Sequence, residues 1–273
     1  MAISLANLKS TKSNRPPILV LYGVDGVGKT SLAAEFPDPI YIQTPGERPP
    51  SDVDLPSFGV IESFNDMLDA IGSLLTEDHG YRTFIIDSLD GLEPFVQRAT
   101  AQRIGADSID SNEKGSPASY GRGYSEADTE WNEYLSGLEE LTRQGIAVVQ
   151  LAHPDITRFD SPISDPYSRY SLKLHKRANA LVREKSDIVA FMNYRVTLKS
   201  VEAGFNKKVT HGESGGDRQV HLEERAGYVA KNRYNAPATL PYKKGQGYSE
   251  LSKYFPAPTG IVAHDADARA DAA

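Results

Sequence analysis

Three observations predict an α/β fold with a mainly parallel central sheet, flanking helices and antiparallel strands near its C-terminal end. Apolar runs alternate with stretches of helical period from residue 16 onward, a glycine-rich turn joins the first run to the first helix, and strand-like runs follow one another after residue 187.

Taken in order, Pro16-Pro17 leads into the apolar run 18–22, which reads as a buried strand. A helical pattern over 29–36 ends early at Pro37 and Pro39, before a second short strand at 40–43. Phe64, Met67, Leu68, Ile71, Leu74 and Leu75 recur at helical spacing ahead of a strand at 83–86 that ends on Asp87. A helix is expected over 89–104. The stretch 105–124, rich in Gly, Ser, Asp and Asn, reads as a mobile loop. Ala127, Trp131, Tyr134, Leu135, Leu138 and Leu141 mark an amphipathic helix feeding the strand 146–151. A second irregular segment is expected at 154–171, then a basic helix over 172–185 and strands at 187–198, 219–223 and 227–230.

The sequence thus divides into a flexible N-terminal segment, 1–15, one domain over 16–255 and a disordered tail rich in alanine and aspartate, 256–273. Of the 273 residues, 39% are hydrophobic and 25% charged, the balance of a globular chain. Cysteine is absent, which excludes disulfides, thiolate metal sites and a thiol nucleophile. With no apolar run of membrane-spanning length and no signal-like N-terminus, a cytoplasmic location without membrane contact is expected. The net charge of −7 conceals a division. Residues 25–152 carry 8 basic against 23 acidic side chains, whereas residues 153–255 carry 18 against 11. The second half is where a polyanion can sit.

Gly23-Val24-Asp25-Gly26-Val27-Gly28-Lys29-Thr30 fits G-x-x-x-x-G-K-[ST] and lies between a strand and a helix start, the context in which that loop cradles phosphate. Its amides and that of Ser31 supply positive dipoles, Lys29 adds a point charge, and the Thr30 hydroxyl can ligate Mg2+. ATP and Mg2+ are therefore the expected cofactors. Asp87, at the end of a neighbouring strand, is the expected acid that holds the metal through water. To position the attacking water the sequence offers Glu47, just past the second strand, with Asp90 and Glu93 as alternatives. His153, at the end of the strand 146–151, is placed to sense the γ-phosphate, and Gln150 in the same strand points either to that site or into the core.

With Leu21-Tyr22-Gly23, Phe84-Ile85-Ile86-Asp87-Ser88, Tyr120-Gly121-Arg122-Gly123-Tyr124, Leu151-Ala152-His153 and Ala230-Lys231-Asn232-Arg233-Tyr234, the chain resembles phage RecA-like P-loop ATPases of the AAA-domain type that act in single-strand annealing and recombination. The likeness spans roughly residues 16–245. It implies a RecA-like P-loop NTPase core and nominates Lys231 and Arg233 as cations reaching a neighbouring subunit's γ-phosphate. It also implies that the two irregular segments are DNA-binding loops. Arg122 would serve in the first, and Arg158, Tyr167, Arg169, Tyr170, Lys173, Lys176 and Arg177 in or just beyond the second, mixing phosphate contacts with base stacking. The function implied is an ATPase that binds single-stranded DNA in phage recombination or repair, by annealing or strand exchange, within a host cytoplasm. Hydrolysis would be coupled to a homo-oligomeric ring or filament, with a single-strand-binding protein as an assisting partner. A P-loop phosphotransferase and a helicase-loading or protein-remodelling ATPase use the same loop.

Overall fold

The computed structural model describes residues 8, 11, 13–111, 113–202 and 208–260, with side chains 196–202 and 208–214 left aside. Most of the segment 1–15 and of the tail beyond residue 255 therefore lies outside the described residues. The described part of the tail continues the fold: the amides of Thr259 and Gly260 both donate to the Gly145 carbonyl at 3.0 Å.

A nine-stranded sheet carries the molecule. Its parallel strands are β1 (Ile18–Gly23), β2 (Pro39–Gln43), β3 (Ser57–Val60), β4 (Thr83–Asp87), β5 (Ala147–Ala152) and β8 (Ile188–Glu202). The remaining members, β9 (Lys208–His221), β10 (Lys231–Asn232) and β11 (Thr239–Tyr242), run antiparallel to the strands they pair with. The path is β11-β9-β8-β1-β5-β4-β2-β3, with β10 pairing on β8. This is the mainly parallel α/β architecture with antiparallel C-terminal strands that the sequence predicts. β10 meets Ile188 and Val189 at the start of β8, while Gly23 of β1 faces Met192 further along.

Every residue of β1 is buried, because the sheet is covered on both faces. Ile18, Val20 and Tyr22 face the layer built by α2 (Phe64–Thr76), α3 (Leu89–Ile104), α5 (Asp128–Arg143) and α6 (Lys176–Lys185). Leu19 and Leu21 face α1 (Lys29–Ala33) and α7 (Gly247–Leu251), where Leu32, Phe36, Leu251 and Phe255 close the second core. Helix starts follow local chemistry. Ser63 and Asp66 form a reciprocal capping box on α2, and the Ser88 hydroxyl accepts from the Gly91 amide to cap α3. Gly23 is required by proximity, since a Cβ there would stand 2.1 Å from the Met192 carbonyl oxygen of β8.

Four expectations are corrected. Residues 154–171 are not irregular: β6 (Pro154–Phe159) and β7 (Tyr167–Leu172) form an antiparallel hairpin. Its apolar alternation is weak because the hairpin stands off the sheet with residues such as Ile156 in solvent, so half-burial never imprinted a period. The basic helix accordingly starts at Lys176, since Leu172 still belongs to β7. Residues 227–230 form no full strand: Arg225 and Tyr228 exchange backbone hydrogen bonds across a tight turn, and Gly227 and Val229 make a single parallel bridge to Tyr170. The segment 105–124 is also more built than a loop. It buries Ile109, Ala118 and Ser119, and its end runs through a 3-10 turn, Ser119–Gly121, into α4 (Arg122–Glu126).

Candidate active site

The parallel strands end on one rim, which brings the phosphate loop, the end of β4 and the end of β5 together around a cavity of about 450 Å3. Gly26 and Gly28 hold left-handed φ values of 71° and 98°, which let the loop curl back on itself, with the Val27 amide donating to the Val24 carbonyl at 3.4 Å. Lys29 folds over the loop and donates to the carbonyl oxygens of Gly23 at 2.8 Å and Val24 at 3.4 Å. Burial pulls the Lys29 ammonium below its ordinary pKa, against the opposing pull of Asp25, Asp87, Glu47 and Asp90.

The Thr30 hydroxyl donates to the Asp87 carboxylate at 3.1 Å, and the Tyr41 hydroxyl on β2 donates to the same oxygen at 2.8 Å. Asp87 is 5% exposed, and burial pushes its carboxyl upward while these hydroxyls pull it back. A hydroxyl and a carboxylate already in contact are the hard oxygen donors that Mg2+ prefers. Thr30 and Asp87 would hold it, where it would neutralise charge on a phosphoryl group.

Glu47 reaches the same rim. The chain turns after β2, with the Glu47 amide donating to the Thr44 carbonyl, and the Ser88 hydroxyl donates to the Glu47 carboxylate at 2.9 Å. His153 stands opposite. Its amide donates to Asp90 at 2.9 Å, its Nδ1 lies 3.0 Å from the other Asp90 oxygen and 3.6 Å from Glu47, and its Nε2 lies 3.8 Å from Asp25. The bond to Asp90 raises the His153 pKa. Burial pushes Asp90 upward, but its bonds to His153 prevail and hold it below the ordinary carboxylate value. Asp90 thus positions the imidazole, and Glu93 serves elsewhere by accepting the His175 amide ahead of α6. Gln150 points into the core, where the Tyr134 hydroxyl donates to it at 2.8 Å.

Other nominated residues are not gathered here. Lys231 spends three donors on the carbonyls of Arg183, Glu184 and Ser186, capping the C-terminal end of α6. Arg233, half exposed, pairs with Asp187 at 3.0 Å. Both lie by the start of β8, at the opposite end of the sheet from their own phosphate loop. Among the expected DNA contacts, Arg122 binds the carbonyls of Ser116 and Ser119, Arg158 pairs with Asp160, and Arg177 pairs with Asp128. Arg169 pairs with Glu224 and lies over the Phe159 ring at 3.9 Å. Tyr167 packs on Phe159, and Tyr170 stacks on Phe191 with centroids 5.0 Å apart, as a core residue would. Lys173 and Lys176 stand beside the hairpin at the start of α6.

Sequence reasoning missed Tyr41, Ser88, Arg218 and Lys244. Ser88 stands in the Asp87-Ser88 motif, but its contact with Glu47 is made only in space, as is that of Tyr41 with Asp87; Arg218 and Lys244 reach the cavity through antiparallel pairing of β9 with β11, which no local pattern announces.

Residues 15–234 match the family model of an AAA domain. No curated protein matches the chain. Among solved structures, the flagellar accessory protein FlaH from Methanocaldococcus jannaschii is similar, with 9% identity, a TM-score of 0.39 and coverage of 91% of each chain.

Proposed function

The chain belongs to the AAA-domain family, and from that premise we propose that it is a magnesium-dependent ATPase that binds single-stranded DNA and works as a multimer in phage recombination or repair, by annealing or strand exchange. The observation that carries the ATPase reading is the direct bond between Thr30 and Asp87, with Glu47 and His153 facing it across one cavity. Lys29 leaves the carbonyls of Gly23 and Val24 to meet phosphoryl oxygens. Glu47, steadied by Ser88, orients the attacking water and takes its proton. His153, held by Asp90, donates toward the terminal phosphate and registers its loss.

The DNA reading is supported by the connection that leaves His153. β6 begins at the next residue, and the Lys173 amide just after β7 donates to the His153 carbonyl at 3.0 Å. Both ends of the hairpin are therefore rooted on the phosphate-sensing residue. The hairpin and the start of α6 carry Arg158, Tyr167, Lys173 and Lys176 in the basic half of the chain.

The test is steady-state ATP hydrolysis with Mg2+, with and without single-stranded DNA, over a range of protein concentration and salt. Stimulation that rises with protein concentration and falls with salt is expected. Turnover indifferent to DNA points to a phosphotransferase or a protein-remodelling ATPase. Lys29→Ala should abolish nucleotide binding.

A further inference from the structure

Arg218 projects from β9 onto the phosphate loop. One guanidinium nitrogen lies 2.9 Å from where a Cβ on Gly28 would be, and the Tyr242 ring lies 3.2 Å from the same point. Gly28 therefore does more than supply a positive φ: its bare Cα lets a cation from a strand distant in sequence settle against the loop. Arg218 is half-buried, and among the described residues its guanidinium meets no carboxylate, only the Tyr242 ring at 5.9 Å. Lys244, on the same wall, is paired with Asp52. A half-buried guanidinium on the wall of the cavity that the phosphate loop lines is placed to donate to an anion held by that loop.

The wall carrying it is fixed. Glu35, just past α1, accepts from the Tyr242 hydroxyl at 3.2 Å and from the amides of Gly245, Gly247 and Tyr248 at 2.7, 2.5 and 3.1 Å. The segment from β11 into α7 is thereby fastened to the helix that follows the phosphate loop. The cavity is lined by acids, Asp25, Glu47 and Asp87, and by cations that include Arg218, which stands by Gly28. Arg218 also lines an adjoining cleft over the paired ends of β9 and β11, with Arg195, Lys243 and Lys244.

We propose that Arg218 binds the diphosphate portion of the nucleotide held by the phosphate loop of its own subunit, as a cation supplied in cis. This rests on the nucleotide reading above. Planar guanidinium donors suit paired phosphate oxygens, so charge and geometry both matter.

The test measures dissociation constants for ADP and a non-hydrolysable ATP analogue on the full chain, at several protein concentrations, for Arg218→Gln, Arg218→Lys and Lys29→Ala. Arg218→Gln should weaken both nucleotides in parallel by roughly 10-fold or more, by the same factor at every dilution, with unchanged thermal unfolding in the absence of nucleotide. Arg218→Lys should recover part of the loss. Unchanged ADP binding in Arg218→Gln beside a dead Lys29→Ala overturns the proposal and leaves the nucleotide reading standing. A defect seen only at concentrations where subunits assemble places the cation in trans and also overturns it. A nucleotide-free unfolding temperature lowered alike in both Arg218 variants, with no recovery by Lys, marks a structural role and does the same. Undiminished binding in Lys29→Ala removes the nucleotide reading itself.

Discussion

His153 sits where the carboxylates of Asp25, Glu47 and Asp90 converge, and the Asp90 bond is the largest cause of its raised pKa. Asp90→Asn should therefore lower the His153 titration toward or below the ordinary 6.5, read by NMR of the ring or by the acidic limb of the pH–rate profile. The stability consequence has a defined window. A raised imidazole contributes fully below its ordinary 6.5 and loses that contribution as pH rises through its folded value. A depressed Asp90 contributes fully above its ordinary 3.8 and loses it as pH falls through its folded value. Asp90→Asn should cost most between those two pH values in urea unfolding, with the gap to the parent protein narrowing above them. A gap that widens toward alkaline pH would show that the pair does not stabilise the fold. Glu47→Gln should keep nucleotide binding while lowering turnover by roughly 100-fold or more; unchanged turnover would remove Glu47 as the base. Lys29, Thr30 and Asp87 were legible because their chemistry is written in a contiguous motif and a strand end. Tyr41 was not, because a tyrosine within a strand reads as packing until the neighbouring strand brings Asp87 to its hydroxyl.

At the scale of elements, the clearest divergence between sequence and structure is the hairpin β6–β7 and the helix after it. Strands buried on both faces and helices with a wet and a dry side write their period into the chain, so β1, β4, β5, α2 and α5 were legible at or near their observed bounds. The hairpin buries little and left no such trace. Its tyrosines have separate roles that only packing distinguishes. Tyr170 stacks on Phe191 and its backbone pairs with Gly227 and Val229, so Tyr170→Ala should cost about 2 kcal/mol or more of stability. Tyr167 packs its ring on Phe159 within the hairpin, and Tyr167→Ala should cost less while weakening single-strand binding by about 1 to 3 kcal/mol if a base stacks there. Equal stability losses in urea melts would contradict this division. Lys231→Ala strips three donors from the end of α6 and should cost about 1 to 3 kcal/mol.

Across the whole molecule, the proposed multimer sets a requirement on how one subunit's far end would meet another's nucleotide. Lys231 is consumed by α6, which leaves Arg233 as the nominated cation able to act across an interface, with its half-exposed pair to Asp187 as the contact it would exchange. It lies by the start of β8, while the phosphate loop lies where β1 ends, so only a head-to-tail arrangement of subunits brings the two together. Such heterologous contacts build rings or filaments, as the proposed dependence of hydrolysis on assembly would require. Arg233→Ala should then bind nucleotide normally but hydrolyse poorly, and a mixture makes the argument decisive. Lys29→Ala subunits have no working phosphate loop but an intact Arg233, and Arg233→Ala subunits have the reverse. Neither alone should turn over ATP, yet mixing them should restore a substantial fraction of activity, because each interface of one orientation joins a sound loop to a sound arginine. Mixtures as inactive as their components would assign Arg233 to the fold of its own chain, where its bonds to Asp187 and to the Glu184 carbonyl already give it a structural role.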